Sequence, residues 1–510
     1  MTISKKAILT VSLFVLSFFL LKVSAQSNLD FEQGLKGWDI SGDKKNVSID
    51  QSNFFKGKNC VKIGNSGAEI FQRLHVSPLS IVQLQCYVKS ENKDVKAYSF
   101  IRFYNSKHEL LLEYKSQPTD SLSYQQAGNY TETPALTDYM EIGAGRDSTG
   151  QGAVYIDEFN IETNIGVPAK KHDPLVDLDK YMEPFWKSDT IYNETVLLYS
   201  VNGKKAEGKL LYTPEQVLSV KDFGLQTDYK KGIDYTLNGN IISRDEKSTM
   251  PFRADTSFDT QNDLAWFNLQ SQWIVVTYTH RGKWGSDPFP YKGDKLPNTL
   301  ARLKSKSPLR IVAFGMSITR GLDVSSYDST VPYMPTYVDL FAGELRKTYH
   351  YSSIQMYNAG LPGATVDWGA TYADKYINPL KPDLVIIDFG MNDFWRLNPS
   401  QFQGYIKTIM EKVKADNPKV EFLLLSNMKF DPDYVLSSDK NKSFYQSNLE
   451  GYSHVLKQME TNGVVNVDMY AITNILYQIK KAKDCLTNPL HPNDYLARWY
   501  AQAMSAVFEN

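Results

Sequence analysis

The sequence is poor in cysteine: 510 residues hold three, Cys60, Cys86 and Cys485. No Cys/His cluster has zinc-ligand spacing, so neither a catalytic metal nor any other cofactor is expected. An excess of one charge is also missing, since 56 Lys and Arg face 57 Asp and Glu. That balance gives no reason to expect nucleic acid or an anionic membrane as a partner. Beyond residue 21 there is no apolar run long enough to span a bilayer. The exception lies at the start, where Lys5 and Lys6 precede the apolar run Ala7 to Leu21 and the small residues Val23-Ser24-Ala25. This has the form of a secretory signal peptide cleaved near Ala25, with an uncleaved anchor as the other reading. No cysteine follows that point to carry a lipid. The mature protein is therefore expected to be periplasmic or extracellular, with no membrane contact beyond the leader. In such a compartment Cys60 and Cys86, both in β-rich sequence, are able to pair, which leaves Cys485 as a small buried hydrophobe.

What is present describes an ordinary globular chain, 42% hydrophobic and 22% charged, too long for one core. Its 32 tyrosines suit either the filling of sandwich cores or stacking on sugar rings. Residues 26–165 read as short alternating strands broken by Gly, Asn, Asp and Ser, among them Cys60 to Ile63, Ile81 to Lys89, Ala97 to Tyr104 and Ala153 to Ile161. This is a β-sandwich signature. Its opening Asn28-Leu29-Asp30-Phe31-Glu32 and closing Val154 to Phe159 resemble the end strands of a jelly-roll carbohydrate-binding module, a structural sandwich that spaces or supports the enzyme being the other reading, and Asp157 is a candidate ligand for a structural calcium. A Pro- and Lys-containing linker, 166–174, marks a boundary. Residues 175–304 read as a second, smaller β-sandwich, an accessory domain packed on the one that follows, with strands expected at Thr195 to Val201, Gly208 to Tyr212, Gly232 to Ile242 and Trp273 to His280. Sequons stand at Asn46, Asn129, Asn193 and Asn441.

From residue 305 to 510 the period changes. Apolar strands at Leu309 to Phe314, Ile354 to Tyr357, Leu384 to Phe389, Glu421 to Ser426 and Val464 to Val467 alternate with helices near Pro335 to Thr348, Pro399 to Ala415, Phe444 to Thr461, Ala471 to Lys481 and Asp494 to Phe508. Continuous apolar strands between helices predict a parallel sheet covered on both faces: a three-layer α/β/α, doubly wound, flavodoxin-like domain.

Functional blocks follow the strand ends, where such sheets bind ligands. Gly315-Met316-Ser317 places a hydroxyl at a sharp strand-to-helix turn. Asn358-Ala359-Gly360 offers a backbone N–H where a missing side chain allows close approach, and Gly390-Met391-Asn392-Asp393 offers an amide donor. Asn488-Pro489-Leu490-His491-Pro492 supplies an imidazole before the last helix. Together these resemble the four ordered blocks of the SGNH hydrolase superfamily, the GDSL esterases. The resemblance implies Ser317 as nucleophile, His491 as general base, and an oxyanion hole of Ser317, Gly360 and Asn392. Arg320 just after the nucleophile, with Trp368 and Trp395 after the second and third blocks, are candidate substrate contacts.

Two residues depart from the family pattern. Met316 stands where an Asp usually precedes the serine, and Asn488 occupies the place of the acid three residues before the histidine. An amide there can accept the imidazole N–H but carries no charge, and that swap costs a serine triad roughly 10⁴ in kcat. A backbone carbonyl, Asp484 or Asp494 are the alternatives as partner of His491.

The expected function is a secreted serine esterase that removes O-acetyl or similar acyl groups from a polysaccharide or oligosaccharide. The alternatives are a general lipase or acyl-esterase, and a glycan-binding protein whose hydrolase domain has degenerated.

Overall fold

In the computed structural model, residues 27–64, 67–78, 80–147, 150–163, 172–254, 269–285, 288–431 and 442–509 are described. The apolar leader, most of the linker and the sequon at Asn441 lie outside the described residues. Two compact units are present, one built from 27–77, 84–129 and 137–163, the other from 78–83, 130–136 and residues 172 onward. Among the described residues no helix is long and apolar enough to cross a membrane.

A two-sheet sandwich makes up the first unit, with the first residues of its strand Ile81–Ser90 and the last of Gln125–Glu132 counted in the second. One five-stranded sheet runs in the order Asp39–Gly42, Ala68–His75, Tyr139–Arg146, Ala97–Tyr104, Leu110–Lys115, and the other runs Val47–Asp50, Cys60–Ile63, Val154–Thr163, Ile81–Ser90, Gln125–Glu132. Alternate residues of Ala68–His75 are buried, as a strand with one face on a core requires. Trp38 packs between Phe31 and Phe159 with ring centroids 5.0 and 4.7 Å away, so the ends of the segment close the core.

Two expectations fail here. Cys60 and Cys86 are both buried free thiols. Their strands are separated by Val154–Thr163, and two strand spacings, about 9.6 Å, exceed the ~7 Å that a disulfide tolerates between Cα atoms. The carboxylate of Asp157 is satisfied without calcium, because it accepts the backbone N–H groups of Phe55, Lys56 and Glu158 at 2.8, 3.1 and 2.8 Å. Among the described residues no group of three His, Cys, Asp or Glu side chains is placed to hold a metal ion.

In the second unit, residues 190–280 form a three-stranded sheet ordered Thr190–Leu197, Trp273–His280, Pro214–Asp222 and a separate five-stranded sheet of short strands. The single strand expected over Gly232 to Ile242 is instead a hairpin, Tyr235–Asn238 paired with Ile241–Arg244. Gly239, at φ +57°, opens its two-residue loop, as tight hairpin turns favour. Asn193 is buried and accepts the Thr277 hydroxyl at 3.1 Å, which closes that sequon to modification.

The parallel sheet follows. Its elements are β1 (Leu309–Gly315), α1 (Ser317–Arg320), α2 (Tyr337–Thr348), β2 (Ile354–Gly360), α3 (Val366–Tyr376), β3 (Leu384–Asp388), α4 (Pro399–Asp416), β4 (Glu421–Ser426), α5 (Lys442–Gln458), β5 (Val464–Asp468), α6 (Met469–Ile479) and α7 (Asp494–Ala506). The strand order is β2-β1-β3-β4-β5, the flavodoxin-like order expected. β3 and β4 are buried at every position, as strands covered on both faces must be. Pairing sets Gly315 opposite Gly360 on one side and Asp388 on the other. The carboxyl ends of β2, β1 and β3 are thereby level, and the winding switches between β1 and β3, the place where sheets of this order bind ligands.

Because all three cysteines are free, the folded protein is expected to titrate three thiols per chain after denaturation, with an unfolding midpoint unmoved by reductant. Fewer thiols, or a reductant-sensitive midpoint, would show a bridge that this sheet order forbids.

Candidate active site

Ser317 opens α1 at the end of β1 and is 7% exposed. The turn beneath it is tight enough to demand glycine, since a Cβ on Gly315 would lie 2.1 Å from Thr319 Oγ1 and 2.3 Å from the Asp388 carbonyl oxygen. Thr319 clamps the turn by accepting the Met316 N–H at 3.0 Å and donating to Asp388 Oδ2 at 2.8 Å. Burial pushes Asp388 up to about 6, against hydrogen bonds from Tyr337, Thr319 and Asn427. Met316 is wholly buried. The residue that replaces the family's aspartate is therefore core packing beneath the nucleophile.

His491 reaches Ser317 from the other end of the domain, with Nε2 2.8 Å from Oγ. Its loop is fixed from several directions. Asn493 donates to Thr195 Oγ1 at 3.1 Å, and Asp484 Oδ1 accepts the Leu197 N–H at 2.7 Å. Lys480 forms a buried ion pair with Glu194, and Arg498 donates to the carbonyls of Tyr192 and Asn193, each at 2.8 Å. Strand Thr190–Leu197 of the accessory sheet thus acts as the mount for the histidine loop.

The other imidazole nitrogen corrects the sequence reading. Nδ1 lies 2.8 Å from Asp323 Oδ2, and neither Asp484 nor Asp494 takes part. Asp484 is committed to Leu197 and to Lys480 at 3.6 Å, and Asp494 accepts the Ser325 N–H and hydroxyl at 2.8 and 2.6 Å. Asn488 does not accept from the imidazole either. Its Oδ1 takes the backbone N–H of Leu490 and of His491 at 2.9 and 3.1 Å, while its Nδ2 faces Asp323 Oδ2 at 2.6 Å. Thr487 adds a hydroxyl at 3.0 Å to the same oxygen. Burial alone would raise the Asp323 carboxyl. The hydrogen bond and charge of His491, then Thr487 and Asn488, outweigh it and hold the group below the ordinary carboxylate range. No sequence motif marks Asp323. The signal that could have found it is proximity: it follows Ser317 by six residues, in the loop that must leave the nucleophile turn.

The remaining candidates divide. Gly360 lies inside β2, and its N–H donates to Asn358 Oδ1 at 3.0 Å, so that group is already engaged. Its lack of a side chain has another cause: a Cβ would lie 2.5 Å from the Arg320 nitrogen and 2.9 Å from the Met316 oxygen. Beyond it, Leu361 to Ala364 form a turn closed by the Ala364 N–H to the Leu361 oxygen at 3.0 Å, with Pro362 second and Gly363 third at φ +79°, as a type II turn requires. Asn392 Nδ2 donates to the Ala364 oxygen at 2.9 Å, which sets the amide beside this turn. Arg320 donates to the Asn358 carbonyl at 3.0 Å and pairs with Glu132 at 3.2 Å, a structural anchorage. Trp368 packs on Phe314 and Tyr376, with centroids 5.7 and 5.1 Å away. Trp395 is 56% exposed on the turn that carries Asn392.

Replacing Gly360 by alanine forces α1 away from β2, so Gly360→Ala is expected to cost about 1–3 kcal/mol, read from denaturant unfolding. An unchanged midpoint would refute the close approach.

Residues 313–498 match the model of the GDSL-like Lipase/Acylhydrolase family. No curated protein matches the chain. Similar solved structures include a two-domain esterase active on acetylated mannans, crystallised with mannopentaose, at 21% identity and TM-score 0.33 over 42% of this chain and 53% of that one. An acetylxylan esterase of Geobacillus stearothermophilus shares 20% identity at TM-score 0.32 over 39% of this chain and 96% of its own. A family 61 carbohydrate-binding module in complex with β-1,4-galactotriose shares 20% identity at TM-score 0.23 over 27% of this chain and 96% of its own. None of these is close enough to fix a substrate. The level strand ends, the Ser317–His491 contact and the family match over residues 313–498 make this part of the chain a GDSL-like lipase/acylhydrolase domain, and the protein a carboxylic ester hydrolase.

Proposed function

We propose that the protein is a secreted serine esterase that removes O-acetyl or similar acyl groups from a polysaccharide through an acyl-enzyme. The observation that carries this reading is the 2.8 Å contact between His491 Nε2 and Ser317 Oγ. Ser317 attacks the ester carbonyl while His491 takes its proton. The oxyanion is met by the Ser317 N–H, the second Nδ2 hydrogen of Asn392 and the N–H of Gly363, which replaces the engaged Gly360. The alcohol leaves with the proton from His491, and water repeats the sequence on the acyl-enzyme.

Several features support a glycan ester. Export follows from the leader in the sequence, and the sandwich of the first unit has the architecture of sugar-binding modules, an associational argument. Trp395 offers an exposed indole on the Asn392 turn, and a flat amphipathic ring suits a sugar better than an acyl chain. Trp368, packed on Phe314 and Tyr376, is left out of this reading. A lipase would require a broad apolar rim around the serine. A decayed hydrolase would have no reason to keep His491 hydrogen-bonded on both nitrogens.

Ser317→Ala is expected to lower acetate release from acetylated polysaccharides by at least roughly 10³-fold, and Trp395→Ala to raise KM more on the polymer than on p-nitrophenyl acetate. Wild-type turnover by Ser317→Ala would sink the serine assignment.

A further inference from the structure

We infer that Asp323, from the loop leaving the nucleophile turn, is the carboxylate that positions His491 and balances its charge, in the role the family gives to the residue three places before the histidine. The inference rests on the serine-esterase reading above. Residue 488 is an asparagine, and hydrogen-bond chemistry decides what it does. Nδ1 of His491 has Asp323 Oδ2 at 2.8 Å and Asn488 Nδ2 at 2.9 Å. A protonated Nδ1 can donate only to the carboxylate, because an NH₂ group has no acceptor to offer. The amide cannot be turned round to supply one. Its Oδ1 already accepts the Leu490 and His491 N–H groups, and turning it would bring that oxygen 2.6 Å from a carboxylate oxygen. Nδ2 therefore donates to Asp323.

Oδ2 of Asp323 then gathers three donors, the Thr487 hydroxyl at 3.0 Å, the Asn488 amide at 2.6 Å and the imidazole at 2.8 Å. This convergence fixes one imidazole tautomer, with Nε2 left free to take the Ser317 proton. The loop is built to hold it there. Asp323 sits at φ +66°, a left-handed conformation that Asp adopts more readily than most residues. Two residues on, the Ser325 N–H and hydroxyl are tied to Asp494 at the start of α7, and Gln270 Nε2 donates to the Asp323 carbonyl at 3.4 Å. Asp323 touches no reacting atom. It is a positioning residue that acts through His491.

The test uses the full-length protein and p-nitrophenyl acetate, with Ser317→Ala beside each variant. D323N is expected to lower kcat by roughly 10³–10⁴-fold with KM nearly unchanged. N488D, which sets a second carboxylate against Asp323, is expected to lower kcat as well, since two carboxylates at that distance share a proton. D323N/N488D, which moves the charge to the family position, is expected to recover at least tenfold over D323N. Loss of activity from general damage to the fold would not be rescued in this way. If D323N stays within tenfold of wild type while Ser317→Ala is inactive, the esterase reading stands and this inference falls. If N488D raises kcat, position 488 is the acid site and the inference falls, whether or not D323N folds. If Ser317→Ala and D323N both match wild type, the esterase reading itself has failed.

Discussion

A hydroxyl and an imidazole 174 residues apart are held at 2.8 Å, and the rest of the site depends on that contact. Such a distance requires both partners to be fixed independently. Ser317 is fixed by register: Gly315, Gly360 and Asp388 share one level in neighbouring strands, and Thr319 binds the turn to Asp388. His491 is fixed by a different device, the polar and ionic ties of residues 480–498 to strand Thr190–Leu197. Lys480 and Glu194 are both fully buried. Removing either would leave an uncompensated charge, typically at a cost of about 3–5 kcal/mol, so the pair specifies a single placement of the loop. The accessory sheet is thereby part of what sets catalytic geometry, although it carries no reacting group.

The supply of Asp323 by the nucleophile's own loop has a mechanical consequence. Where the acid and histidine share one loop, that loop can keep its tautomer whatever the serine does. Here the charge that orients His491 arrives with the serine, so movement of the Gly321 to Tyr333 segment would disturb nucleophile and base together. Ser325 and Asp494 oppose such movement at 2.8 and 2.6 Å. Burial pushes the Asp494 carboxyl up to about 6, partly offset by those same two hydrogen bonds. As a carboxylate it is a stronger acceptor for Ser325 than its acid form would be.

The fold was largely legible because strands covered on both faces leave continuous apolar runs, and β4 and strand Trp273–His280 fall where the sequence puts them. Helix α3 was not anticipated. Its Val, Trp, Thr, Tyr and Gly give little intrinsic preference, and its start is fixed from outside by Asp393, which accepts the Val366 N–H at 3.0 Å. Within the site, Ser317 and His491 were legible because each belongs to a local block, and folding brings them together; Asn392 belongs to a third block and stands beside the Leu361 to Ala364 turn. Gly360 was misread because β2 was expected to end at Tyr357. It runs three residues further, to Gly360, so this glycine ends the strand and its N–H is taken by Asn358. Asp323 belongs to no motif; its one local signal is that it follows Ser317 by six residues, and nothing in its neighbours tells of the histidine that folding brings to it.

Position 488 shows why the carboxylate can move without loss of the motif's backbone. An acid at this place has two tasks, to hold the imidazole and to cap the turn that delivers it. Asn488 retains the second, its Oδ1 accepting the Leu490 and His491 N–H groups as an aspartate oxygen would. It gives up the first and uses the freed NH₂ to draw Asp323 into range at 2.6 Å. An aspartate at 488 would repel that incoming carboxylate, and an alanine would leave two loop N–H groups without a partner. Given a carboxylate at 323, asparagine meets both demands, so the substitution that looks like decay in the sequence is the one that lets the relocated acid fit.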